Sequence, residues 1–169
     1  MIHRSCAAGI AASLLLATAI LARQEDERAP ARDALDGESS LYRAARLGDI
    51  AGVSALLSNG AKLDVTVARW PGDAGWTPLM IAAAEGHTAV AQQLLDSGAT
   101  VDQRNARGRT ALLFAAWYDH ADTAAVLLDA GADPEAADVL GQTPLSLAQL
   151  KSASDMIHLL ESKVHRPAP

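Results

Sequence analysis

A strict interval of 33 residues runs through this sequence and restricts its fold more than any other feature. Gly75, Gly108 and Gly141 stand 33 apart, and so do Thr77, Thr110 and Thr143, then Leu79, Leu112 and Leu145, then Ala82, Ala115 and Ala148. Gly98-Ala99 returns as Gly131-Ala132, and Leu94 returns as Leu127 and Leu160. Self-similarity over whole units of this size marks stacked supersecondary elements, each too small to bury its own apolar face and each covered by its neighbours. An earlier segment, Leu41 to Asp49, matches Leu79 to His87 at an offset of 38, and Gly60-Ala61 then matches Gly98-Ala99. Four units therefore follow one another, with five extra residues between the first and the second.

The apolar spacing inside each unit is helical. Leu79, Ile81 and Ala82 give the inward stripe of a first helix, repeated as Leu112, Phe114, Ala115 and as Leu145, Leu147, Ala148. Thr77, Thr110 and Thr143 stand just ahead of it as caps for free backbone N–H groups, and Ser39 takes that place in the first unit. Pro78 and Pro144 occupy the next position, where a missing N–H does no harm. A second helix from about Thr88 to Ser97 presents Val90, Leu94 and Leu95, and Gly98 supplies the left-handed residue that ends it. Aromatic residues make up only 4% of the chain, so the units must pack through small side chains, which suits close-set short helices better than a sheet.

The words Gly75-Trp76-Thr77-Pro78-Leu79, Ala82-Ala83, Gly86-His87, Leu94-Leu95 and Gly98-Ala99, recurring at this interval, resemble the ankyrin repeat. The resemblance implies an all-α solenoid of four helix-loop-helix repeats with short hairpin loops over about 38–163, the repeats being 38–70, 74–105, 107–138 and 140–163. The fourth repeat departs from the pattern. Gln149 stands where the third has Ala116, Ser152 where the second has Gly86, Ala153 where the third has His120, and Glu161 where it has Leu128. A polar outer face of this kind is what a terminal repeat needs for solubility. The histidine of the family's TPLH word is absent, its positions being Tyr42, Met80, Leu113 and Ser146, so its hydrogen bond is expected to be missing at some cost in stability.

Ahead of the repeats, His3 and Arg4 precede a charge-free run from Ala7 to Leu21, with Ala17, Ala19 and Ala22 as small residues before Arg23. This reads as a secretory signal peptide over 1–22, cut after Ala19 or after Ala22, and leaving no membrane span once removed. Retention as an anchor is the rival reading, although the run is short against the roughly 20 apolar residues a span requires. Residues 23–37, charged and containing Pro30 and Gly37, are expected to be a flexible linker, and 164–169 a disordered tail. The expected location is periplasmic or secreted. Cys6, the only cysteine, falls in the leader, so the exported body has no disulfide and no thiol for nucleophilic or zinc chemistry. The net charge is −6, and −7 once Arg4 is removed with the leader, which argues against nucleic acid and anionic membranes as partners. Arg104, Arg107 and Arg109 form the one basic cluster and read as a solvated loop.

No enzyme, cofactor or metal is implied. Gly72-Asp73-Ala74-Gly75 lacks the lysine of a phosphate-binding loop, and no serine sits in a nucleophile elbow. The carboxylates, Asp138 among them, lack calcium-loop spacing and are expected to cap and solubilise. Asp119-His120-Ala121-Asp122 has the residue types for acid–base or metal chemistry, so an accessory protein binding a ligand or metal at His87 and His120 is the alternative. In ankyrin repeats, however, this histidine is structural and bonds the backbone between helices.

The resemblance implies a non-catalytic module that holds a partner protein by its hairpin tips and the exposed ends of its first helices. Carried over residue by residue, those positions are Arg46, Trp76, Arg107, Arg109, Trp117, Tyr118 and Leu140, with Val139, Leu150 and Lys151 beside them and Trp70 in the insertion. Trp, Tyr and Arg dominate interface hot spots because they bury much area at small entropic cost. Trp76, Trp117 and Tyr118, framed by Arg107 and Arg109, are expected to line a concave groove for an extended loop or helix of a partner. The chain itself is expected to be a monomer.

Overall fold

The computed structural model describes residues 40–68 and 74–164, all within the unit Glu38–Pro169. The leader, the linker, the cap at Ser39, Trp70 and residues 165–169 lie outside the described residues. The helices are α1 Ser40–Leu47, α2 Ile50–Ser58, α3 Pro78–Ala84, α4 Thr88–Asp96, α5 Ala111–Tyr118, α6 Ala121–Asp129, α7 Pro144–Lys151 and α8 Ser154–Val164. The first helices α1, α3, α5 and α7 pack on one another in order as one layer, and the second helices α2, α4, α6 and α8 form another against it. Among the described residues there is no strand, and one isolated antiparallel bridge joins Val67 to Trp76. The expected all-α repeat solenoid is the fold observed. None of the described helices is long and apolar enough to cross a membrane.

The caps explain where the first helices begin. Thr77, Thr110 and Thr143 lie in extended backbone, and their Oγ1 atoms accept from the amides of Met80, Leu113 and Ser146 at 3.2, 3.4 and 3.2 Å. In the fourth repeat Ser146 Oγ also accepts from the Thr143 amide at 2.9 Å, closing a capping box. The loss expected from the missing histidine is thereby offset at Ser146, and Tyr42, Met80 and Leu113 fill the position with side chains only 1% exposed. Ala82, Ala83, Ala115, Ala116 and Ala148 are fully buried, and such small side chains let helices approach closely. The second helices α2, α4 and α6 end alike, with the amides of Ala61, Ala99 and Ala132 donating to the carbonyls of Leu56, Leu94 and Leu127 at 3.0 Å. Gly98 makes that closure in α4 at φ 94°.

The histidines join one repeat to the next. His87 Nε2 lies 3.1 Å from the carbonyl oxygen of Arg46, and His120 Nε2 lies 3.1 Å from that of Ala84, each belonging to the preceding first helix. Those carbonyls are among the ones a helix end leaves unpaired. The ring then fills the space beside the residue that ends the preceding helix: a Cβ on Gly86 would stand 2.7 Å from His120 Nδ1. The backbone here is left-handed in every repeat, at Gly48 (φ 70°), Gly86 (φ 73°), Asp119 (φ 60°) and Ser152 (φ 57°). Asp119 carries a side chain because the repeat after it has Ala153 instead of a histidine ring. In the first repeat Asp49 takes the histidine's place and caps α2, its Oδ1 accepting from the Gly52 amide at 2.9 Å.

A residue other than glycine held left-handed is strained by about 1 kcal/mol, somewhat less for Asp. Asp119→Gly is therefore expected to stabilise the protein by about 0.5–1 kcal/mol, seen as a higher urea midpoint at constant slope. A lowered midpoint would show that the Asp119 side chain contributes more than its strain removes.

The fourth repeat turns polar side chains outward where the third is buried. Leu113 (1% exposed), Ala116 (0%) and Leu128 (8%) correspond to Ser146, Gln149 and Glu161, all exposed. This is the polar outer face that the sequence departures predict.

Candidate binding face

One side-chain device builds the tips of the third and fourth repeats. Asn105 Oδ1 accepts from the amides of Arg107 and Arg109 at 3.0 and 2.9 Å, and Asp138 Oδ1 accepts from those of Leu140 and Gln142 at 2.9 and 3.0 Å. Both residues are buried. Main-chain bonds tie tip to tip: the Ala106 amide donates to the Ala74 carbonyl at 2.8 Å, and that of Val139 to the Arg107 carbonyl at 3.0 Å. Arg104 Nη1 donates to the carbonyls of Gly108 and Ala137 at 3.2 and 2.6 Å, and Arg109 Nε donates to Asp138 Oδ2 at 3.3 Å.

Burial pushes the Asp138 carboxyl upward, but the amides of Gln142 and Leu140 and the Arg109 guanidinium outweigh it and hold its pKa below the ordinary 3.8. Because the folded value is the lower one, the carboxylate's contribution is complete above about pH 4 and is lost as pH falls through the folded value. Asp138→Ala leaves two amides and a guanidinium without their acceptor and is expected to cost about 2–3 kcal/mol. Asp138→Asn copies the Asn105 arrangement and removes only the ion pair, at about 1 kcal/mol and with this part of the acid sensitivity gone. Thermal melts of both variants at about pH 7 and about pH 3 distinguish the roles. Equal losses at neutral pH would mean that the ion pair, and not the amide bonds, holds the tip.

The first helices end in the other part of the face. Trp117 is half-buried against the core, with Lys151 Nζ 4.2 Å from its ring centroid, a cation–π contact over one face of the indole. Tyr118 is 51% exposed and its ring stacks 6.4 Å from that of His120. Leu47 is 67% exposed, Leu150 66%, and the tip residues Val139 and Leu140 are 70% and 75% exposed. Five of the six large apolar side chains exposed among the described residues thus sit at first-helix ends or on a hairpin tip, and the sixth, Ile50, opens α2.

Of the predicted contact residues, Arg46, Arg107, Tyr118 and Leu140 are exposed and Trp117 is exposed in part. Trp70 lies outside the described residues. Two expectations need correction. Trp76 is only 4% exposed, its amide and carbonyl are bonded to Val67, and its ring centroid lies 4.1 Å from that of Phe114. The bridge to Val67 turns the indole inward onto the next repeat, so Trp76 is core. Arg109 is directed at the buried Asp138, and with Arg104 it fastens the tips instead of forming a solvated loop. Sequence reasoning missed the acceptors Asn105 and Asp138; the available signal was that they share one position of the 33-residue period. Among the described residues no group of three or more His, Cys, Asp or Glu is placed to hold a metal ion.

Comparison with known proteins reaches the same architecture. The family model for ankyrin repeats (3 copies) matches residues 41–138, more than half of the chain. The 2-5A-dependent ribonuclease of Mus musculus is 34% identical over 79 residues, which cover 47% of this chain and 10% of the ribonuclease. The chain therefore spans about a tenth of that relative, too little to carry over its activity. With recurring words, paired helices in two layers and a match over most of the stack, the chain belongs to the ankyrin-repeat family, whose repeats are generally non-catalytic and suited to protein interaction.

Proposed function

We propose that this chain is an exported, non-catalytic module that binds a partner protein through the ends of its first helices and its hairpin tips. The observation that carries this reading is the grouping of exposed apolar side chains, Leu47, Tyr118, Val139, Leu140 and Leu150, at those places. Single exposed apolar residues mean little, but the recurrence of exposed ones at first-helix ends and on a tip favours those places as the interaction site. Arg46 and Arg107 are exposed at such places too, and the half-buried Trp117 precedes Tyr118 at the end of α5. Export is supported by the leader-like residues 1–22 and by a body without cysteine. A ligand or metal role at His87 and His120 has no comparable support, since each ring is committed to a backbone carbonyl of the preceding repeat.

The combined variant Tyr118→Ala, Leu140→Ser, Leu150→Ser is expected to lose no more than about 1 kcal/mol of stability, because the two leucines are mostly exposed and Tyr118 gives up only the buried half of its ring and its stacking on His120. Its co-purification with the native partner is expected to fall about tenfold or more. Undiminished capture would show that the partner sits elsewhere. The mass of the protein recovered from its own cells tests export: a new N-terminus at Ile20 or Arg23 is expected, and an intact Met1 contradicts it.

A further inference from the structure

We infer, building on the binding face just proposed, that the tip of the fourth repeat holds an extended segment of the partner by its main chain, with the carbonyl of Leu140 as the acceptor. The tips are joined by one contact that recurs at the 33-residue period. The residue before each tip glycine, Ala74 and then Arg107, accepts through its carbonyl from an amide of the next tip, that of Ala106 at 2.8 Å and that of Val139 at 3.0 Å. Leu140 is the third member of this series, and no described residue donates to its carbonyl. The neighbouring carbonyl of Gly141 is equally open, because Ala137 occupies the position from which Arg104 reaches the Gly108 carbonyl.

The tip glycines follow the same series. A Cβ on Gly75 would stand 3.1 Å from Asn105 Cα, and one on Gly108 would stand 3.3 Å from the Val139 amide nitrogen, so in both cases the next tip lays its backbone over the glycine. A Cβ on Gly141 would meet no described atom within 4 Å. The fourth tip is otherwise built like the third: φ is 73° at Gly141 and 70° at Gly108, and Asp138 accepts the amides of Leu140 and Gln142 as Asn105 accepts those of Arg107 and Arg109. The acceptor is thus preset in a fastened turn, ready for another backbone to continue the ladder.

Every stack has a last tip, and an open carbonyl alone would mark only an end. The side chains beside it are not those of an end. On its helices the fourth repeat turns polar where the third is buried, at Ser146, Gln149 and Glu161, yet its tip carries Val139 and Leu140 where the third has Ala106 and Arg107. They are 70% and 75% exposed, the highest values among the large apolar side chains described. Water satisfies a carbonyl but not these side chains. An extended polypeptide supplies both an amide for Leu140 and, on alternate residues, apolar side chains to cover Val139 and Leu140. A second copy is a poorer occupant, since the amides of Ala106 and Val139, the equivalent donors on its described tips, are already spent within its own stack.

The test is a selection of random displayed peptides on the full-length protein, followed by titration of a selected peptide into isotope-labelled protein. The resonances of the Leu140 carbonyl carbon and the Gly141 amide are expected to shift. N-methylation at one position of the peptide is expected to weaken binding about tenfold by removing the donor. Gly141→Asn introduces a residue that tolerates left-handed backbone and sets a Cβ in the path of the approaching chain, so binding is expected to fall about tenfold or more with unchanged circular dichroism. A selection without binders, or peptides that shift neither resonance, tolerate N-methylation at every position or bind the Gly141→Asn protein undiminished, would overturn the inference. Self-association abolished by Gly141→Asn would overturn it in favour of a second copy, and binding that appears only after residues 165–169 are removed would overturn it in favour of those residues. Capture of the native partner separates this inference from the binding face. Capture lost with the combined Tyr118, Leu140 and Leu150 variant but kept with Gly141→Asn overturns the main-chain contact alone, and capture kept with both sinks the face as well.

Discussion

Trp76→Ala is expected to lower the unfolding free energy by about 3–5 kcal/mol, because removing a buried indole loses its transfer energy and leaves a cavity. The ring is 4% exposed, lies against Phe114 of the next repeat, and belongs to the residue that bridges to Val67. The substitution therefore loosens the contact between the second and third repeats and the base of the segment holding the five-residue insertion together. Urea denaturation measures the loss, and Trp76→Phe is expected to recover about half of it by keeping an aromatic face toward Phe114. A loss below about 1 kcal/mol, accompanied by lost partner capture, would return this tryptophan to the binding face.

Gly86→Ala is expected to cost about 2–4 kcal/mol, from two causes that add. The backbone is left-handed at φ 73°, and the new Cβ would stand 2.7 Å from His120 Nδ1. Withdrawing that ring gives up the bond from its Nε2 to the Ala84 carbonyl. The two causes separate in a double variant. His120→Ala vacates the space and gives up the carbonyl bond, so Gly86→Ala made on that background should cost less by about 1 kcal/mol or more. Strict additivity would mean that the glycine is required by its backbone conformation alone. The chain already contains the relaxed version of this pair in Asp119 and Ala153.

The caps, the helix pairs and the polar fourth repeat were legible in the sequence because each follows from local rules restated at every period. Thr77, Thr110 and Thr143 each announce a helix start regardless of what packs on it. Trp76 was misread because its position is occupied by Arg109 and Gln142 in the next two repeats. Periodicity gives a residue's place in the unit, but the direction of the indole is set by Phe114, a contact between units. For the same reason Asp119 and Ala153 look like two separate departures until the ring of the following repeat is placed beside the preceding helix end. Asp138 looked like a surface carboxylate because its partner, Arg109, stands 29 residues away, at the opposite end of the same repeat.

Site-directed photo-crosslinking in cells that make the protein distinguishes the two layers most directly. With a benzophenone side chain in place of Tyr118, at the exposed end of α5, the native partner is expected to crosslink. With the same side chain in place of Asp129, at the end of α6, it is expected not to. A crosslink at position 129 with none at position 118 would contradict the binding face.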